Sequence, residues 1–154
     1  ADVLSRWFAA SDRLGPAVDL YVAQLHSPPD QLELRFLLAA MTAEVLHARL
    51  NLGRGRLSLR RRIRELLQNT PPSFAVAIKD PDAFVDLVVR TRNQYTHWSN
   101  PVSAATGRDL LVLAEKVRLL TEANLLHELG FAPAELEKLI SRNREVATIA
   151  ALQT

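Results

Sequence analysis

Apolar residues recur every three or four positions along most of the chain, the pattern left by helices that each bury one stripe. From Leu4 to Leu25 the stripe is Leu4, Trp7, Phe8, Leu14, Val18, Tyr21, Val22 and Leu25. Gly15-Pro16 is expected to break or kink it, because proline cannot complete the helical hydrogen-bond ladder. Ser27-Pro28-Pro29-Asp30 makes a turn, and Asp30 is placed to cap a second helix with a predicted stripe of Leu34, Leu38, Met41, Val45, Ala48 and Leu52. Gly53 and Gly55 close that helix. A third opens on Ser58 as N-cap, turning Leu59, Ile63, Leu66 and Leu67 inward and Arg60, Arg61 and Arg64 outward, until Thr70-Pro71-Pro72 stops it.

After a short apolar stretch, Asp80-Pro81 reads as an N-cap followed by proline at the first helical position, so a fourth helix runs from there toward Pro101. The longest predicted helix covers about Arg108 to Leu129, apolar at Leu110, Leu113, Val117 and Leu120, polar at Glu115, Arg118 and Glu122, and closed by Gly130 as a left-handed cap. Pro133 starts a last helix, through about Glu145. No strand pattern, repeat or low-complexity tract intervenes. The expected fold is all-α: an antiparallel helical bundle of four core helices plus short extra helices.

At 154 residues the chain is one domain's worth, 1–154, and large enough to bury a core without staples. It begins at Ala1 rather than a methionine and reads as a piece of something longer. With no cysteine there is no disulfide, thiolate metal site or cysteine nucleophile, which suits a reducing cytoplasm. No apolar run approaches the ~20 residues that span a bilayer, and no secretory signal opens the chain. A soluble, cytoplasmic protein without a membrane partner is expected. Formal charge is only +2, but sixteen of the nineteen basic residues are arginine, whose planar fork grips phosphate. Genome composition produces the same bias, so this alone decides nothing.

The chemistry concentrates in RTRNQYTHWSNP, residues 90–101. Asn93 and His97 lie roughly 40° apart on one helix face, and Arg92 lies roughly 140° from His97, a gap that arginine's length can bridge. The helix C-terminus favours a charged imidazole at His97, whereas Arg90 and Arg92 favour a neutral one. Those opposed pushes suit a group that must take and give a proton. RNA carries its own nucleophile: internal cleavage needs a base for the 2′-hydroxyl proton, an acid for the leaving 5′-oxygen and cations for the phosphorane. One copy supplies a single histidine and a single arginine; an isologous dimer would bring two of each to a shared cleft.

Arg92-Asn93-x-x-x-His97 resembles the signature of HEPN domains, small α-helical bundles of which many act as metal-independent RNases in toxin–antitoxin, abortive-infection and CRISPR-associated systems. "FLLAAMTAEVLHARL", "VVRTRNQYTHW" and the stretch near "LHELGF" are similar to ApeA-like HEPN domains, which commonly sit C-terminal to another domain in anti-phage proteins. The resemblance implies a HEPN-like bundle in a C-terminal fragment, with a possible N-terminal sensor domain in the full-length protein. It implies a homodimeric endoribonuclease acting on RNA in anti-phage defence, with Arg92 and His97 catalytic, Asn93 in support, and no cofactor. The tyrosine that follows the histidine by two places in nucleotidylated HEPN antitoxin pairs is absent, since Ser99 stands there. That regulation is not expected here.

Other candidates have blander readings beside them. Glu44-Val-Leu-His47 has the Glu-x-x-His spacing of di-iron bundles, but no second copy exists, so no metal is expected. Glu44 and His47 read instead as a buried or bordering polar pair, with the alternative that one of them lines the catalytic cleft. His26 and His127 read as structural. Six arginines between Arg54 and Arg64, among them Arg60, Arg61 and Arg64, could contact an RNA backbone, although a solvated helix face is favoured. Tyr95 and Trp98 could stack a base or simply pack. Arg142-Asn143 repeats the dipeptide, but Ala147 holds the histidine position and no chemistry is assigned there. The competing class is a non-catalytic helical module that dimerises or binds RNA or a partner.

Overall fold

The computed structural model describes residues 3–51, 55–97 and 104–151; expectations resting on Leu52, Gly53, Arg54 and Trp98 to Pro101 lie outside them. The described residues form eight helices and no strand. Four are long: α1 (Val3–His26), α2 (Leu32–Leu50), α5 (Pro81–His97) and α6 (Gly107–Glu128). Four are short: α3 (Leu59–Gln68), α4 (Pro72–Ile78), α7 (Pro133–Arg142) and α8 (Arg144–Ala151). No helix among the described residues is long and apolar enough to cross a membrane.

The helix ends follow local chemistry. Ser58 Oγ accepts from the Arg61 N–H at 3.4 Å, and Asp80 Oδ1 accepts from the Ala83 N–H at 3.0 Å, so both predicted N-caps form. Gly130 has φ +77°, its N–H bonding to His127 O and the Phe131 N–H to Leu126 O, the paired bonds of a Schellman closure. Other expectations change. Pro16 lies inside a continuous α1, which at 24 residues, not α6 at 22, is the longest helix. Gln31 rather than Asp30 holds the N-cap of α2, without a side-chain bond. The apolar stretch after Thr70-Pro71-Pro72 is α4, because Pro72 sits at the first helical position, where its missing N–H is not needed. The last predicted helix divides at the extended Asn143, so α8 was missed.

α2 is the central element, packed chiefly on α6 and α1. Arg6 donates to Gly130 O, and Arg13 pairs with Glu128, so α1 runs antiparallel to α6. α2 and α6, distant in sequence, run in the same direction: Ala39 shares a cleft with Arg118, and His47 shares another with Glu128. The buried face of α2 is Phe36, Ala39, Ala40, Ala43 and Leu46. The stripe predicted from sequence is the opposite face, with Leu34 49% and Met41 46% exposed. α2 is apolar on both sides, so period alone cannot say which side is the core.

α6 buries Leu110, Leu113, Val117 and Leu120 as expected. Its polar face is also covered: Arg118 is buried and bonds Glu115 and Glu122, which offset its charge beside α1. Asn124 is buried too, its amide donating to Leu66 O at 3.1 Å and accepting from Asn69, which fastens α3 to α6. Arg60 pairs with Asp86, and Arg64 with Asp82 at 2.7 Å, setting α3 antiparallel to α5.

Candidate functional site

The last two turns of α5 divide the motif among three faces. Thr91 and Tyr95 point at residue 105: Thr91 Oγ1 accepts from the Ala105 N–H, and the Tyr95 hydroxyl donates to Ala105 O, both at 3.0 Å. Burial, then the nearby Glu33 carboxylate, pushes the Tyr95 hydroxyl up, so it stays a donor. Tyr95 is thus half-buried against the core with its polar end engaged, as in the packing reading.

Arg92 and Thr96 form the second face. They line a groove of about 440 Å³ with Leu37, Met41, Glu44 and Arg62. Arg92 Nε lies 3.6 Å from Glu44 Oε1, and each side chain is about one-third exposed. Arg62 donates to the main-chain oxygens of Leu57 and Glu44, which holds a second guanidinium along the same groove. Two cations against one carboxylate leave the groove positive beside an apolar wall. Arg62 was not singled out in the sequence, although on the helical wheel it flanks the inward stripe, roughly 40° beyond Leu66 and on the opposite edge from Arg60 and Arg64.

Asn93 and His97 form the third face. His97 is the final residue of α5 and exposed; Asn93 is half-buried. Neither lines the Arg92 groove. One chain therefore presents its guanidinium in a groove and its imidazole on the rim beyond, turned away by the helical angle.

Glu44 and His47 part company. Glu44 joins Arg92, whereas His47, one turn on, lines a different cleft and is 1% exposed, its Nε2 2.8 Å from Glu65 Oε2 and 3.2 Å from the Asn51 amide. Arg61 also bonds Glu65. Arg61 first, then His47, holds the Glu65 carboxyl below its usual range. Arg60 and Arg64 pair with Asp86 and Asp82 of α5, so carboxylates of the chain face part of the basic side of α3.

Comparison with curated proteins and with solved structures found no match. A family model described as Apea-like HEPN matches residues 31–135, more than half of the chain, from the start of α2 through Glu135 in α7. That span holds the motif helix, the groove and the core helix α6. The chain belongs to the Apea-like HEPN family, which is associated with ribonuclease and defence roles.

Proposed function

We propose that the chain is a cytoplasmic, metal-independent endoribonuclease of anti-phage defence, active as a homodimer. The observation that carries this reading is the division of the motif: Arg92 in a positive groove, His97 exposed on the neighbouring face. Both are accessible to substrate, yet roughly 140° of helical rotation separates them, so one chain holds only part of a cleavage site. The outward apolar face of α2, with Leu34 and Met41, borders the same groove and supplies a surface on which a second copy would bring the other part.

In the assembled site one His97 takes the 2′-hydroxyl proton, O2′ attacks phosphorus, and the P–O5′ bond breaks as the partner subunit's His97 protonates the leaving oxygen. The Arg92 side chains hold the charge on the equatorial oxygens, Asn93 orients the imidazole, and Glu44 keeps Arg92 in the groove. Products are a 2′,3′-cyclic phosphate and a 5′-hydroxyl end.

The test is cleavage of labelled RNA by the purified chain with EDTA present. His97→Ala is expected to lower the rate by on the order of 10²- to 10⁴-fold without changing the fold. Activity abolished by chelation, or undiminished in that variant, overturns the reading. RNA retained intact instead assigns the chain to the non-catalytic binding class, which the pairing of Arg60 and Arg64 makes the weaker alternative.

A further inference from the structure

A second cleft lies away from the motif groove, between the turn that joins α4 to α5 and the first turns of α6. It encloses about 360 Å³, room for roughly a dozen water-sized groups at ~30 Å³ each. Its walls are apolar, made by Phe84, Leu87, Val112 and Leu113, and Lys116 closes one part of it. Lys116 is only 9% exposed. Among the described residues its ammonium has no hydrogen-bond or ion-pair partner. Its stem is buried while the ammonium keeps some contact with solvent, so the charge is open to an anion entering the cleft.

The surroundings explain why no carboxylate of the chain does the pairing. Asp80 lines the cleft, but its Oδ1 is held by the Ala83 N–H as the cap of α5. Asp109 lies seven residues before Lys116 on α6, roughly 10 Å away along the helix axis. Lys79 adds a second positive charge. Its backbone has φ +60°, ψ −65°, with the Asp80 N–H bonded to Ile78 O at 2.8 Å, a tight three-residue turn that is strained for a residue with a side chain. Such strain persists where surrounding structure holds it, and it gathers at ligand sites. Burial first, and repulsion from Lys79 second, lowers the proton affinity of the Lys116 amine. A bound anion would relieve both effects.

We propose that this cleft binds a monoanionic amphiphile, its carboxylate head received by Lys116 and its short hydrocarbon body laid along Phe84, Leu87, Val112 and Leu113. The volume suits a medium-length chain. Asp80 and Asp109, which also line the cleft, repel a second negative charge, which selects a carboxylate over a phosphate ester and disfavours a polynucleotide. The site is independent of the ribonuclease reading, since none of its residues belongs to the motif groove.

Isothermal titration of the intact chain with octanoate, octylamine, octanol and octyl phosphate tests it. Octanoate is expected to saturate one site, about tenfold or more tighter than octylamine or octanol, and tighter than octyl phosphate. Lys116→Met keeps the apolar length without the charge and is expected to weaken octanoate by about tenfold or more. Absence of saturable octanoate binding, equal binding of octanoate and octylamine, a preference for octyl phosphate, or an unchanged affinity in Lys116→Met overturns the assignment. Should Lys116→Met not fold, the head-group comparison on the unaltered chain decides it alone.

Discussion

Arg92 meets two demands at once: it must stay charged beside Glu44 and remain open to a substrate phosphate. An ion pair about one-third exposed contributes at most about 1 kcal/mol to folding, so the pair with Glu44 orients the guanidinium more than it stabilises the bundle. Arg92→Lys is therefore expected to leave denaturant stability within about 0.5 kcal/mol while lowering RNA cleavage about 10²-fold, since an ammonium cannot present a planar fork to two equatorial oxygens. Single-turnover cleavage beside urea melts would check both halves. Glu65 shows the opposite balance, a contact made for folding. Its carboxyl is held low by Arg61 and His47, so its contribution is whole above the ordinary carboxylate range, near pH ~4.3, and fades as pH falls through the lower folded value. Urea melts at pH 6, 4 and 3 should show Glu65→Gln losing less stability on acidification than the unaltered chain.

At the scale of elements, Asn124 is the polar fastener between α3 and α6. Asn124→Ala would remove the amide's bond to Leu66 O, which keeps only the Asn69 main-chain N–H, and its bond to the exposed Asn69 side chain, and is expected to cost about 1–2 kcal/mol in urea denaturation. How far such elements are legible in the sequence depends on how one-sided they are. α6 was read correctly at all four core positions because its apolar residues repeat at helical spacing between charges. α3 and α5 were read because Ser58 and Asp80-Pro81 mark their starts. α2 was inverted because both of its faces are apolar, and only contact with α1 and α6 selects the Phe36–Ala39–Ala43–Leu46 side. α4 was passed over because Pro71-Pro72 ends one helix and starts the next. For the candidate site, spacing singled out Arg92, Asn93 and His97 for the proposal, and Glu44, which the structure sets beside Arg92, was one of two candidates on its helix. Arg62 and the engagement of Arg60, Arg64 and Tyr95 are tertiary facts, set by which elements meet.

For the whole molecule, the question is what the outward side of α2 does. In the proposed dimer it is covered, so a charge placed there should separate the subunits without disturbing either one. Met41→Glu lies on that exposed side. It is expected to shift the chain to a monomer in sedimentation velocity and to lower cleavage by about 10²-fold or more, with helix content unchanged and a melting temperature that no longer depends on chain concentration. A monomeric unaltered chain that still cleaves RNA would remove the need for a partner.

The oily outer flank of α2 also bears on how such a chain is kept in check. If catalysis exists only where two copies meet, its onset follows the square of abundance at low copy number. A cell could then carry a trace amount harmlessly and become committed to RNA destruction only when synthesis, release or local crowding lifts the chain past its pairing threshold.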